Sequence, residues 1–259
     1  ATRREGNSIF YRRAPLPVNG PLLALHRSLL ATVDQLTLST ELQQRIDQAN
    51  LVRTEASRAF FQQNVEKFQA NQDLIASYEQ YGDIITEFLD ATPCEKNTVL
   101  EVGPGEGGFL PNLSQRFDQV IALDTSDEML IRSRETVQTE QLSNVSLIHG
   151  DTTHAVNQGL RPNCITLNMV LHHIPNPPQI FEDLKQLLTA GGALLITDLC
   201  HHDQSWARES CGDLWLGFEP EDLSIWASAA GLTEGESLYL AQRNGFQIQL
   251  RQFFNNSEH

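Results

Sequence analysis

Apolar residues recur every three or four positions between residues 21 and about 89, which is the spacing of one helix face. Three stripes have this spacing: Leu22, Leu25, Leu29, Leu30 and Val33; then Ala59, Phe60, Phe61, Val65 and Phe68; then Ile84, Ile85, Phe88 and Leu89. Pro21 suits a first helical turn, where no internal donor is lost. We therefore predict a helical region over residues 21–90, in which the aromatic side chains pack into a core.

From about residue 97 the pattern changes to short apolar runs separated by amphipathic stretches. The runs predict strands at 98–102, 119–123, 145–149, 164–168 and 193–198, with helices at 107–116, 126–140 and 177–189. Such alternation is typical of a parallel, doubly wound sheet. A helix at 220–230 then precedes two β-rich runs, 235–242 and 246–254, and the Asn244-Gly245 step between them predicts a hairpin. We therefore expect an α/β fold with a doubly wound, seven-stranded sheet that ends in a C-terminal antiparallel hairpin.

The composition is ordinary for a globular chain of 259 residues, with 40% hydrophobic and 20% charged residues. No apolar run approaches the roughly 18 residues that span a bilayer, and the N-terminus has no secretory signal. The four cysteines, at 94, 164, 200 and 211, form no C-x-x-C pair. That spacing favours free thiols in a reducing compartment, so we expect a cytoplasmic protein without a membrane partner.

The charge is unevenly distributed along the chain. The net charge is −15, yet residues 1–13 contain four arginines and one glutamate, so the remaining residues carry −18. An acidic body argues against a broad nucleic-acid-binding surface, which needs clustered Lys and Arg. The basic start therefore needs a separate explanation.

Residues 99–110, VLEVGPGEGGFL, form a glycine-rich loop directly after the first strand of the sheet. Ligands of such sheets bind beyond the carboxyl ends of the strands, and glycine lets the backbone approach them closely. Gly103, Gly105 and Gly107 are therefore candidate ligand-binding residues. The loop fits G-x-G-x-x-G and G-x-G-x-G equally well, so by itself it does not distinguish a dinucleotide from S-adenosylmethionine. Asp124, which ends the second strand, can accept two hydrogen bonds from ribose hydroxyls of either ligand.

Residues at the ends of three strands favour S-adenosylmethionine over a dinucleotide. Glu101 lies just inside the first strand, where a carboxylate suits the methionine ammonium and would repel a pyrophosphate. Asp151 and the amide of Thr152, after the third strand, can bind the adenine amino edge. Asn168 adds a polar group at the end of the fourth strand.

Five ordered segments carry a family resemblance: VLEVGPGEGG, VIALDTSDEML, LIHGDT, LNMVLHHIPNP and LLTAGGALLITD. Over residues 97 to about 200 the chain resembles the UbiE-like branch of the class I S-adenosylmethionine-dependent methyltransferases. The resemblance implies a Rossmann-like fold, S-adenosylmethionine as cofactor with S-adenosylhomocysteine as product, and transfer of a methyl group to an unidentified small molecule. It adds Thr125 and Met129 to the cofactor-binding residues. A nicotinamide-dependent oxidoreductase is the alternative that the glycine loop allows.

A second resemblance lies outside these segments. REGNSIFYR, residues 4–12, resembles the β-wing of an ArsR-type winged-helix repressor, and residues 201–232 resemble proteins that fuse such a repressor to a methyltransferase. This resemblance implies a division into residues 1–20, a wing remnant, 21–90, a helical linker or lid, and 91–259, the cofactor-binding domain. DNA would then be a partner only through a missing or partial N-terminal winged helix, and a regulator that senses the cofactor or its product becomes an alternative function. A basic tail without a partner and a homodimer remain open.

His172 and His173 follow the fourth strand, and Asp198 ends the neighbouring fifth strand. A histidine oriented by that carboxylate is a candidate general base for an acceptor that must lose a proton. The alternative is that one histidine caps the loop and the other packs against the ligand.

The segment CHHD at 200–203, with Glu209, Cys211 and Asp213 nearby, raises the question of a metal site. Because the adjacent His201 and His202 side chains would diverge, we expect no metal there. Arsenite as a substrate would require three converging thiolates, and the four cysteines form no recognisable trio of this kind.

Overall fold

The computed structural model describes residues 2–5, 8–11 and 21–256. The chain divides into two compact units, residues 1–52 and 53–259, and the boundary lies within helix α2, Thr40–Ala76. In the first unit, β1 (Thr2–Glu5) pairs antiparallel with β2 (Ser8–Tyr11), and helix α1 spans Leu23–Asp34. Residues 6, 7 and 12 of the predicted wing, and residues 13–20 after it, lie outside the described residues.

The second unit is built on a seven-stranded mixed sheet, as predicted. Its strands are β3 (Thr98–Val102), β4 (Gln119–Asp124), β5 (Val145–His149), β6 (Cys164–Asn168), β7 (Ala193–Leu199), β8 (Thr233–Ala241) and β9 (Gln247–Phe254). Their order in the sheet is β5-β4-β3-β6-β7-β9-β8. The first five strands are parallel, while β9 is antiparallel to both β7 and β8. The strand order reverses between β3 and β6, which is where sheets of this kind bind ligands.

Helices cover both faces of this sheet. They are α3 (Tyr78–Ala91), α4 (Leu110–Ser114), α5 (Asp127–Thr139), α6 (Thr152–Asn157), α7 (Pro177–Leu187), α8 (Trp206–Cys211) and α9 (Pro220–Ala229). None of the helices in the described ranges is long and apolar enough to cross a membrane.

Helices α4 and α6 differ from the prediction for local reasons. The helix predicted at 107–116 is only α4, because Gly103, Gly105 and Gly107 have φ angles of 68°, 58° and 84°, which a right-handed helix excludes. The short helix α6 was not predicted; it begins after Asp151, whose side chain accepts a hydrogen bond from the amide of His154 at 2.7 Å.

The central strands separate two hydrophobic clusters. Val99 packs with Ile85 and Leu89 on one face, whereas the next residue, Leu100, packs with Phe181 on the other. All seven residues of β7 are buried. Burial on both faces explains why the parallel strands are apolar runs without alternation.

Candidate cofactor and acceptor site

The glycine loop begins as a tight turn at the carboxyl end of β3. The amide of Gly103 donates to the carbonyl oxygen of Leu123 on β4 at 2.8 Å, and that of Gly107 to Pro104 at 2.9 Å. A Cβ atom at Gly103 would lie 2.6 Å from Cγ2 of Val170, in the loop after β6. Only glycine fits there, so the loop leaves exposed backbone at the place where a ligand can approach it.

Side chains of α5 hold this loop from the side. Ser133 Oγ donates to the carbonyl oxygen of Gly105 at 2.8 Å, and Thr136 Oγ1 to that of Glu106 at 2.6 Å. Arg132 forms an ion pair with the Glu106 side chain at 2.8 Å. Sequence reasoning missed these residues. Their signal was two hydroxyl side chains three positions apart, on one face of the helix after the second strand.

Glu101 lies at the base of the loop with 2% of its surface exposed. Asn168 Nδ2 donates to Glu101 Oε1 at 3.0 Å, and the Thr166 hydroxyl donates to Oε2. The structure thus brings together the predicted Glu101 and Asn168 and adds Thr166. Burial raises the pKa of Glu101 to about 8, although both hydrogen bonds oppose this. A cationic group beside Glu101 would favour its ionised form.

Asp124 ends β4 one strand away, where it is partly buried. Its Oδ1 accepts a hydrogen bond from the Ser126 amide at 2.8 Å, and burial raises the pKa of Asp124 to about 6. The carbonyl oxygen of Thr125 contacts His149 Nε2 at 3.1 Å, while the Met129 side chain is buried under the start of α5. A cavity of about 210 Å³ lies here, lined by Arg58, Thr125, Ser126, Asp127, Glu128 and His149.

Asp151 and Thr152 follow β5, as expected, but their side chains have structural contacts. Asp151 is exposed and caps α6, while Thr152 Oγ1 donates to Asp183 Oδ2 on α7 at 2.7 Å. The Thr152 hydroxyl is therefore engaged by α7. The group of Thr152 that could bind a ligand is its backbone amide, as the sequence predicted.

His172 pairs with Asp198 as the sequence suggested. His172 Nδ1 donates to Asp198 Oδ1 at 2.9 Å, and both side chains are fully buried. On the other side of the ring, His172 Nε2 lies 3.8 Å from Oδ1 of Asp213. Burial by itself would lower the pKa of His172, but the two carboxylates outweigh it and raise this pKa to about 9. The structure adds Asp213 to this cluster.

His173 lies beside His172 and is 8% exposed. Its Nδ1 contacts the carbonyl oxygen of Gly212 at 3.3 Å, its Nε2 contacts Gln72 Nε2 at 3.3 Å, and its ring packs against the edge of Phe61. Burial and the neighbouring His172 hold the pKa of His173 well below its usual range. Since Nδ1 donates to a carbonyl, Nε2 is left to accept from the Gln72 amide.

The segment 200–203 does not form a converging group. His201 Nδ1 contacts the carbonyl oxygen of Leu216 at 3.1 Å, while His202 Nδ1 accepts from the amide of Gln204 at 3.3 Å. The two adjacent imidazoles therefore have different partners.

Comparison with known proteins assigns the family. Residues 68–249 match the family model described as a methyltransferase domain. An arsenite methyltransferase from Halobacterium salinarum is 30% identical over 105 residues, which are 39% of this chain and 27% of the relative. A demethylmenaquinone methyltransferase from Shouchella clausii is 24% identical over 139 residues, 52% of this chain and 59% of the relative. The chain thus spans less than two thirds of the length of either curated relative.

Among solved structures, phosphoethanolamine N-methyltransferase 2 of Haemonchus contortus is similar in fold. The two superpose with a TM-score of 0.63 at 15% identity, over 78% of this chain and 60% of that one, and that structure contains S-adenosylhomocysteine. The chain belongs to the methyltransferase-domain family. The predicted methyltransferase class is confirmed by this family match.

Proposed function

We propose that the protein transfers the methyl group of S-adenosylmethionine to a small-molecule acceptor. The observation that carries this proposal is the buried Glu101 at the base of the glycine loop, with the carboxylate of Asp124 at the next strand end. Glu101 suits an ammonium group, and its ionised carboxylate would repel a pyrophosphate, whereas Asp124 suits the ribose of either cofactor. Glu101 is therefore the residue that favours S-adenosylmethionine over a dinucleotide.

The cofactor-binding residues have distinct proposed tasks. Backbone of Gly103, Gly105 and Gly107 would line the cofactor, and Asp124 would bind its ribose. Glu101 and Asn168 would bind the methionine end; the remaining predicted residues, Thr125, Met129, Asp151 and the amide of Thr152, would border the adenosine. The bound cofactor supplies an electrophilic methyl group, so the protein's own work is to align the acceptor and exclude water.

On the acceptor side, we assign His172, His173 and Asp198 the task of preparing the acceptor by removing its proton. His173 is the group that would touch the acceptor, since it is the more exposed imidazole and lies against α2 through Phe61 and Gln72. Its Nε2 would exchange the hydrogen bond from Gln72 for one from the acceptor. Asp198 is a positioning residue, because, of the two histidines, it contacts His172 and not His173. The close cover by α2 favours a small acceptor over a macromolecule.

Arsenite, the substrate in the name of the Halobacterium relative, fits less well. All four cysteines lie in the part of the chain that the structure describes, and no three of their sulfur atoms come within 4.8 Å of one another. A trigonal thiolate site would need that convergence. An organic acceptor with a hydroxyl, amine or thiol group is therefore the proposed class.

The cofactor assignment is tested by replacing Asp124 with alanine. We expect the affinity for S-adenosylhomocysteine, measured by calorimetry, to fall by about 10-fold or more, since charge-assisted hydrogen bonds contribute roughly 1.5–3 kcal/mol each. Asp118→Ala, at an exposed position of the same unit, is the matched control and should bind like the wild type. Equal affinity in the two variants would refute the ribose assignment.

Turnover is tested on a panel of hydroxyl, amine, thiol and metalloid acceptors, with product detected by mass spectrometry. With an acceptor that must lose a proton, His173→Gln should reduce kcat by about 10²–10⁴ and leave cofactor affinity unchanged. If the cofactor binds but no acceptor on the panel is methylated, the sensor function gains support.

A regulator is the second candidate function. The hairpin formed by β1 and β2 is compatible with a wing, but the family match begins at residue 68 and does not include it. The gene region upstream of Ala1 decides this point: a helix-turn-helix there would support an ArsR-type fusion, and its absence would leave the hairpin without a DNA-binding role.

A further inference from the structure

His172, His173 and Asp213 form a compact group of metal-ligating side chains. Each offers one ligand atom, and these three atoms lie within 4.8 Å of one another. The side chains are buried, with exposed fractions of 0%, 8% and 3% for the three residues. Over the described ranges, no other trio of His, Cys, Asp or Glu meets this criterion.

The group contains buried polar atoms that no protein atom satisfies. Within the described part of the chain, His172 Nε2 and both carboxylate oxygens of Asp213 have no hydrogen-bond partner. Arg208 acts on Asp213 through its charge but does not hydrogen-bond to it. A buried carboxylate that has charged neighbours but no hydrogen-bond partner is still costly, and a metal ion is one means by which proteins satisfy such a group.

The spacing of these atoms suits two ligands of one ion. His172 Nε2 and Asp213 Oδ1 are 3.8 Å apart, which is too long for a hydrogen bond. Two ligands in a tetrahedral zinc site, each about 2.0–2.1 Å from the metal, are about 3.3 Å apart. A shift of a few tenths of an ångström at each side chain would bring this pair to ligand spacing, and His173 would give up its contact with Gln72 or Gly212 to supply the third ligand atom.

The second ring nitrogen of His172 supports the same assignment. Nδ1 donates to Asp198, which leaves Nε2 facing Asp213; a bound ion would displace the proton that the two carboxylates hold on Nε2 and take its lone pair. In metal sites, the ring nitrogen of a histidine that does not bind the metal commonly donates a hydrogen bond to a carboxylate, as Nδ1 does here. The loop carrying Asp213 is held in place by the amides of Leu214 and Trp215, which both donate to the carbonyl oxygen of His172.

We propose that His172, His173 and Asp213 bind one divalent transition-metal ion, such as zinc. Two imidazoles and one carboxylate match the borderline ligands that zinc takes, and three protein ligands leave a position for water or an acceptor atom. Only the role of the ion rests on the proposed function: His173 would then be a metal ligand and not the base, and the ion would prepare the acceptor by lowering the pKa of its proton. The sequence argued against a metal on the divergence of His201 and His202, whereas Asp213 lies beside the two histidines that follow β6.

The test uses the full chain, freed of metal with a chelator and titrated with Zn²⁺ by calorimetry. Wild type and the control His201→Gln should each bind one ion per chain. Asp213→Asn, which keeps the shape of the side chain, should bind at least 10-fold more weakly. Co²⁺ in place of Zn²⁺ should give visible absorption bands in wild type and lose them in Asp213→Asn.

The outcomes separate this inference from the proposed function. Stoichiometric binding that Asp213→Asn weakens supports the site, even if no acceptor is found. Failure of the wild type to bind Zn²⁺ or Co²⁺, or equal binding by Asp213→Asn, overturns it. S-adenosylhomocysteine affinity, measured on the same samples, reports that the variant is folded, and its loss in the wild type would count against the proposed function alone.

Discussion

The protonation state of Glu101 follows from its place in the sheet. Its carboxyl group is buried between β3 and β6, where only the side chains of Thr166 and Asn168 replace water. Burying a carboxylate costs more than two hydrogen bonds return, so the neutral form is favoured until a cation arrives. The position of Glu101 before the glycines was readable from the sequence. Its contact with Thr166 was not, because that contact depends on the register between strands.

Glu101 should make stability depend on pH in a definite direction. Its pKa of about 8 in the folded protein lies above the ordinary value of 4.5, so between these pH values the folded state holds a proton that the unfolded chain releases. The free energy of unfolding should therefore fall as pH rises from about 4.5 to 8. Glu101→Gln should flatten this fall and be more stable than wild type at pH 9 in the absence of cofactor.

Thermal unfolding at pH 6 and pH 9 measures this difference. Glu87→Gln, on the exposed face of α3, serves as control and should follow the wild-type curve. An unchanged pH dependence in Glu101→Gln would show that Glu101 is already ionised in the folded protein.

At the scale of elements, α5 and the glycine loop act as one unit. Asp124 ends the strand that leads into α5, and the same helix hydrogen-bonds to the loop through Ser133 and Thr136. The residue that we assign to the ribose and the backbone that we assign to the cofactor are thus held by a single helix. This arrangement orders the loop before a ligand binds, which reduces the entropic cost of binding.

Ser133→Ala should loosen that unit. The substitution removes the donor to the Gly105 carbonyl, so we expect a loss of about 1 kcal/mol in the free energy of unfolding and weaker binding of S-adenosylhomocysteine. Chemical denaturation and calorimetry measure the two effects. Gln138→Ala, on the exposed side of α5, is the matched control. Wild-type affinity in Ser133→Ala would mean that the loop is ordered without this contact.

Most elements of the sheet could be predicted from the sequence, because each buried strand is an apolar run of distinct length between helical stretches. β3, β5 and β6 begin and end where expected. The start of the helix after the glycine loop was wrong because periodicity carries no information about positive φ angles. The approach of Asp213 to His172 could not be predicted, since it depends on how the loop after α8 folds back onto the strand ends.

At the scale of the whole molecule, cofactor binding should stabilise the fold. A ligand at 100 times its Kd that binds only the folded state adds about 2.7 kcal/mol. We expect S-adenosylmethionine and S-adenosylhomocysteine to raise the Tm by several degrees, and NAD to leave it unchanged. Differential scanning fluorimetry measures these shifts, and Asp124→Ala should reduce them at the same ligand concentration. A shift with NAD alone would contradict the cofactor assignment.

The position of β9 has a consequence for how the protein is made. Along the chain β8 precedes β9, but in the sheet β9 lies between β7 and β8. β8 is therefore synthesised before the strand that joins it to the sheet, and the edge of β7 stays uncovered until Gln247–Phe254 have left the ribosome. An uncovered strand edge invites pairing with other chains. During synthesis the protein thus passes through an interval in which the edge of β7 is open to pairing with other chains.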